Sequence, residues 1–212
     1  MRFMKPLLVF LLLLIYSFFC WLMLRITLQY IPVNTDVAFL RIKQEYIGML
    51  HYKVAFFAHV FAAIVSLAAG FTQFSERLRR RYPKMHRWSG WIYAINVLFV
   101  AGPSGLVIGL YANGGWSSQL AFCLLAVLWM VFTGLALSSI LRRDVAAHRR
   151  WMIRSFALTL SAITLRAWKF VLVAAFEPRP MDVYRIVAWL GWVLNLLVAE
   201  WWIRRSGNRG KK

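Results

Sequence analysis

Residues 148–169 read HRRWMIRSFALTLSAITLRAWK. The stretch opens with a histidine and two arginines beside a tryptophan. It runs from Ser155 to Leu165 without a charge and meets charge again at Arg166 and Lys169. A helix facing water carries its charges along one stripe, and a gap this long leaves no room for such a stripe. At about 1.5 Å of rise per residue, His148 and Arg166 stand roughly 27 Å apart, close to the ~30 Å hydrocarbon core of a bilayer. The stretch predicts a membrane span with a cationic anchor at each face.

The whole chain agrees. It is 61% hydrophobic with a mean hydropathy of +0.62, too apolar for a soluble domain of 212 residues. Its charge is +19, from 26 basic and 7 acidic residues. In a soluble protein that excess would point to nucleic acid. Here the bases sit in short clusters between apolar runs, which suits lipid headgroups and membrane orientation, and no nucleic acid is expected. The fold class that follows is all-α: an integral membrane helical bundle, one transmembrane domain over residues 1–212.

Six spans are predicted, at about 7–24, 52–74, 88–111, 118–141, 151–176 and 183–203. The first follows MRFMKP and is too long for a cleaved signal, with no small-x-small site after it, so it reads as a retained helix. Suppose both termini and the loops after spans two and four share one side. That side then carries eighteen basic residues and the other six, with Arg166 and Lys169 near the far end of span five. This imbalance predicts a bacterial cytoplasmic (inner) membrane protein with both termini in the cytoplasm. Residues 35–50 predict an amphipathic helix on the outer surface, capped by Asn34 or Thr35. Residues 204–212 form a basic cytoplasmic tail, expected to be irregular. Cys20 and Cys123 read as packed thiols with no disulfide or metal spacing.

Four histidines stand out. His51 lies at the outer end of span two, and His59 is about 12 Å deeper on the same helix. His86 and His148 each open a span from the cytoplasmic side. Ionisable residues in or at a membrane are functional candidates, and neutral imidazole is a haem-iron ligand. Two axial ligands must share one depth. His86 and His148 do, and they read either as that pair or as interfacial anchors beside arginine and tryptophan. As ligands to haem b they would have Arg149 and Arg150 beside the propionates. His51 and His59, two turns apart on one helix, cannot share an iron.

Span three carries AGPSGLVIG, residues 101–109. Pro103 predicts a kink that either opens a ligand cleft or is absorbed by packing. Gly105 and Gly109 form a small-xxx-small face for close helix approach. Gly114, in the turn after span three, is expected to accept a side chain more readily than Gly105. Arg166 and Lys169 either snorkel to headgroups or, with His51 and His59, hold an anionic or quinone-like ligand. Glu200 is expected to pair with Arg204, one turn away. No serine–histidine–acid, paired-carboxylate or zinc pattern appears. Whether the chain catalyses anything is left open by its residues.

Two segments carry a resemblance. The order HVFAAIVSLAAGFTQF…LRRRYPKMHRWSGWIY, then LRRDVAAHRRWMIRSFALTLSAITLR, resembles the bacterial membrane-protein family catalogued as domain of unknown function 2306, over about residues 50–175. The resemblance implies a multi-span membrane protein and no activity. Carried over by motif, its polar positions are His59, His86, Arg87, Gly90, His148, Arg149, Met152, Arg154 and Arg166. MHRWSG is also similar to a histidine motif of two-haem membrane cytochrome b and ferric-reductase-like bundles, although this chain lacks a second histidine pair at one depth. The expected function is a haem-associated membrane redox or electron-transfer subunit. The alternatives are a binding or transport protein for a lipid-like or anionic small molecule, and a structural subunit of a membrane complex. The expected partners are membrane lipids and membrane subunits.

Overall fold

A computed structural model describes residues 4–177 and 179–209, and these are almost wholly helical. Ten α-helices follow in chain order. They are α1 (Met4–Leu28), α2 (Gln44–Ile47), α3 (Leu50–Thr72), α4 (Glu76–Arg81), α5 (Pro83–Asn96), α6 (Gly102–Leu110), α7 (Trp116–Leu141), α8 (Val145–Thr159), α9 (Ser161–Phe176) and α10 (Pro180–Arg209). A π-helical turn, Val97–Ala101, joins α5 to α6. Among the described residues there is no strand.

Local sequence sets the helix ends. Ser75 Oγ accepts the Leu78 N–H to start α4, and Asp144 Oδ1 accepts the Ala147 N–H, 2.8 Å away, to start α8. Pro83 opens α5, where its missing N–H costs nothing. The turn between α7 and α8 is tight enough to hold Arg143 at φ +62°.

Four elements are long and apolar enough to cross a membrane: Leu50–Thr72, Pro83–Leu110, Trp116–Leu141 and Pro180–Ser206. α8 and α9 pass the same test together but meet at 42°. The described apolar part of α1, Leu13–Leu28, is shorter than a span. Among the described residues the expected six therefore becomes four, or five with the bent pair counted as one. The integral membrane bundle stands. Large apolar side chains on its outside, such as Phe99, Phe170 and Phe176, face lipid.

The stretch 148–169 is thus not one straight rod. At Leu160 the ladder tightens, with the Ile163 N–H donating to the Leu160 carbonyl three residues back. Thr164 Oγ1 donates to the Gly191 carbonyl of α10 at 2.5 Å, with the Leu160 carbonyl 3.1 Å away sharing the same proton. Threonine hydroxyls that serve freed carbonyls let a helix bend inside a bilayer. Pro103 behaves otherwise: Pro83–Leu110 remains a single span, and the π-helical turn absorbs the proline.

One end of the bundle gathers residues 29–49, 111–115, 177 and 179–185. There the expected surface helix is a 3₁₀ segment, Ala38–Lys43, followed by α2. Asn34 Oδ1 accepts the Asp36 N–H at 2.8 Å, while Val37 occupies the N-cap position without a side-chain cap. Tyr30, Leu40, Ile47, Tyr52 and Phe56 form the apolar cluster that pins this segment onto α3. At the other, basic end lie α4 and the turn 142–144. α10 continues as helix to Arg209, so residues 204–209 of the basic tail extend it, and 210–212 lie outside the described residues.

Candidate functional site

α5 and α8 both start at the basic end and run the same way. Tyr93 follows His86 by seven residues and Ser155 follows His148 by seven, two turns in each case, so each pair shares a helix face. Tyr93 Oη lies 2.6 Å from Ser155 Oγ. The two histidines therefore sit in matching register, about 10 Å nearer the basic end. His86 is within charge reach of both His148 and Arg79.

The two imidazoles are held differently. His148 Nδ1 lies 2.8 Å from the Ala136 carbonyl of α7. A carbonyl only accepts, so Nδ1 carries the proton and Nε2 is left with its lone pair. His86 Nδ1 is buried and has no partner, although its backbone carbonyl accepts from Gln73 Nε2 at 3.2 Å and its helix is braced by the Gln73–Ser89 bond of 2.7 Å. Arg149 and Arg150 are exposed beside His148.

Directly above the pair lies a polar node that sequence reading missed. Tyr93, Ser155 and Thr133 are each at most 1% exposed. Tyr93 Oη meets Thr159 Oγ1 at 2.7 Å, Thr133 Oγ1 meets Ser155 Oγ at 2.7 Å, and the Trp129 indole donates to Thr159 at 3.0 Å. Four hydroxyls and an indole satisfy one another in a region where water cannot. The signal was the shared seven-residue spacing from the two histidines, visible only once the Tyr93 side chain of α5 is known to reach Ser155 of α8.

Glu200 corrects another expectation. It pairs with Arg154 of α8 through two bonds, Nε–Oε1 at 2.5 Å and Nη2–Oε2 at 3.0 Å, and not with Arg204. Arg154 also lies 4.6 Å over the Trp151 ring. The fork of the guanidinium fits a carboxylate across two helices better than a neighbour on one helix would.

At the 111–115 end the remaining candidates separate. His51 Nε2 meets Tyr111 Oη at 2.7 Å. His59 is a turn and more deeper, and its Nδ1 donates to the Ala101 carbonyl at 2.9 Å. That carbonyl ends the π-helical turn ahead of Pro103, while Ser104 Oγ donates to the neighbouring Val100 carbonyl at 2.5 Å. Gly105 provides the room: a Cβ there would lie 2.9 Å from His59 Cε1. Gly109 meets the Cys123 backbone of α7 instead, so the small-xxx-small face serves two neighbours. Arg166 is within charge reach of His59 and Tyr30, and Lys169 is exposed one turn on. Gly114 is no free turn position. Its φ is +85°, a Cβ would lie 2.6 Å from Ser118 Oγ, and its carbonyl accepts from Arg185 Nε at 2.8 Å.

Lys43, unremarked in the sequence, is 2% exposed. Its ammonium donates to the Tyr111 carbonyl and to Asn113 Oδ1 and lies 5.1 Å over the Tyr46 ring. Burial pushes its pKa down, and Glu45 offsets part of that. Burial also pushes the Tyr30 phenol up. Cys20 and Cys123 are free and partly buried. Among the described residues no three His, Cys, Asp or Glu side chains converge.

A family model described as "Predicted membrane protein (DUF2306)" matches residues 56–203, which takes in α4 to α9 and most of α3 and α10 and leaves out Tyr30, Lys43 and His51. No curated protein and no solved structure matches the chain.

Proposed function

Because the chain belongs to the DUF2306 family of predicted membrane proteins, whose description assigns no activity, we propose a function from its own geometry: a membrane redox subunit holding haem b between His86 and His148. The observation that carries the reading is the pair's equal seven-residue spacing from the hydrogen-bonded Tyr93 and Ser155.

The residues present fit such a group. His148 is held in the tautomer that leaves Nε2 free, with a backbone carbonyl as the outer partner that metal-bound histidines commonly have. His86 brings a buried ring nitrogen with no partner among the described residues. A haem so bound supplies a reversible one-electron change. The chain's part is to orient both rings, to exclude water through the Tyr93–Thr133–Ser155–Thr159 node above them, and to offer Arg149 and Arg150 to propionates. The basic imbalance supports placing this end and the C-terminus on the cytoplasmic side of a bacterial inner membrane, and the N-terminus with them where α1 counts as a further crossing.

The test is the absorption spectrum of the detergent-purified protein expressed with ample haem. A low-spin haem spectrum is expected, lost in both His86→Ala and His148→Ala and kept in His51→Ala, whose ring lies at the opposite end. Absence of a Soret band from the wild-type protein refutes the proposal.

A further inference from the structure

Pro83–Leu110 is a span of 28 residues and rises about 42 Å, close to the ~40–45 Å of a bilayer with its headgroups. Lys84 and Arg87 lie in its first turns, at headgroup depth. Trp88 and Trp91 follow at the interface, where an indole suits both water and hydrocarbon. Ile95 comes about 16 Å beyond Lys84, so the series crosses roughly one leaflet. At about 100° per residue these five side chains fall within roughly 100° of arc, and His86 and Tyr93 point the opposite way, into the bundle.

All five are exposed, Trp88 by 73%, and together they line an open groove of about 470 Å³. No neighbouring acid neutralises it. Glu76 of α4 is paired with Arg79 and Arg80, at 3.7 and 2.7 Å, and among the described residues neither Lys84 nor Arg87 has a carboxylate partner. A second groove at the basic end, of about 480 Å³, is lined by Leu197, Glu200, Trp201, Arg204 and Arg205 of α10. It has the same residue types but a different charge balance. The Glu200 carboxylate is part of its wall, and Arg205 lies 5.1 Å over the Trp201 ring. A phosphate in that groove would meet a like charge, whereas in the α5 groove it meets cations alone.

From this arrangement we propose that the α5 groove binds one anionic phospholipid of the leaflet at the basic end. Lys84 and Arg87 hold its phosphate, Trp88 and Trp91 flank its glycerol region, and an acyl chain lies along Ile95 toward the bilayer centre. The bound headgroup thus stays level with the surrounding headgroups. The carriers are the two cations one turn apart without a carboxylate, the groove they open, and the apolar floor that leads from them into the core and suits a tail rather than a free ion. The face is turned away from His86, so the site stands or falls independently of haem.

The test is thermal unfolding of the full chain, delipidated in a neutral detergent and titrated in parallel with phosphatidylglycerol, phosphatidylcholine of the same chains, and inorganic phosphate. Phosphatidylglycerol is expected to stabilise the wild-type protein. In the double variant Lys84→Gln, Arg87→Gln its apparent affinity is expected to fall about thirtyfold, from about fivefold per cation at a headgroup surface. The double variant Arg204→Gln, Arg205→Gln removes the same charge at the other groove and is expected to stay within about twofold of the wild type. Phosphatidylcholine and inorganic phosphate are each expected to give no shift that depends on Lys84 and Arg87. The proposal is overturned if phosphatidylglycerol acts equally on the wild type and Lys84→Gln, Arg87→Gln, or if Arg204→Gln, Arg205→Gln loses as much as that variant. It is also overturned if phosphatidylcholine or inorganic phosphate reproduces the shift that depends on Lys84 and Arg87.

Discussion

Replacing Gly105 with alanine tests the packing around His59 with a single methyl group. In an open helical site the change stabilises by about 0.5–1 kcal/mol, because glycine loses more backbone freedom on folding than alanine does. Gly134 of α7 is such a site, since its nearest neighbour would be Leu98 Cδ2 at 3.9 Å. At Gly105 the new Cβ would lie 2.9 Å from His59 Cε1 and 3.0 Å from Nδ1, so the ring must move. Moving it gives up the bond to the Ala101 carbonyl, worth about 1 kcal/mol net, and adds an overpacking cost of about 1–3 kcal/mol. After the propensity gain the expected loss is about 1–3 kcal/mol. Thermal unfolding in a mild detergent, at roughly 2–4 °C per kcal/mol for a chain of this size, separates the two variants. The double variant His59→Ala, Gly105→Ala removes the obstructing ring, so its loss should fall short of the sum of the single losses by about 1 kcal/mol or more. Additive losses, or a Gly105→Ala protein as stable as Gly134→Ala, would refute the reasoning.

Tyr93→Phe removes the hydroxyl at the centre of the polar node and leaves Ser155 and Thr159 with one partner fewer. The expected cost is about 1–3 kcal/mol in the same unfolding assay, above that of Tyr16→Phe, whose hydroxyl makes a single bond to the Leu67 carbonyl at a half-buried site. Lys43 should give a pH signature. Its folded pKa lies below the ordinary value of 10.5, so between those two values the unfolded chain binds more protons and stability rises with pH. Relative to the non-titrating Lys43→Met, the wild type is expected to gain stability as pH is raised from neutrality toward 10.5. A constant difference between the two would show that Lys43 titrates as it does in the unfolded chain.

The membrane bundle was legible because apolar windows and clustered cations are properties of consecutive residues. The bend at Leu160 was not legible. SFALTLSAIT, residues 155–164, contains neither proline nor glycine, and the role of its last hydroxyl shows only when Gly191 of α10 arrives beside Thr164. At Pro103 the opposite holds: a proline visible in the sequence leaves Pro83–Leu110 a single span, with a π-helical turn just ahead of it. Glu200 was assigned to Arg204 on sequence proximity, whereas Arg154 reaches it from another helix. Tyr93, Thr133, Ser155, Thr159 and Lys43 escaped notice for one reason: a polar side chain in an apolar run signals a site only once its partners, 22 to 70 residues away, are known.

The π-helical turn at Val97–Ala101 sets the rotational phase of everything after it. Each i→i+5 bond encloses one residue more than the i→i+4 bond of an α-helix, so the span holds a residue in excess of what its length needs. Removing one residue from this turn would let it close as an ordinary α-helix and shorten the span by only about 1.5 Å. It would also rotate Pro103–Leu110 by about 100° against α5. Gly105 would leave His59, and Gly109 would leave the Cys123 backbone. The extra residue thus acts as a phase shifter, allowing one continuous helix to show its tyrosine face to α8 at one end and its glycine face to α3 and α7 at the other.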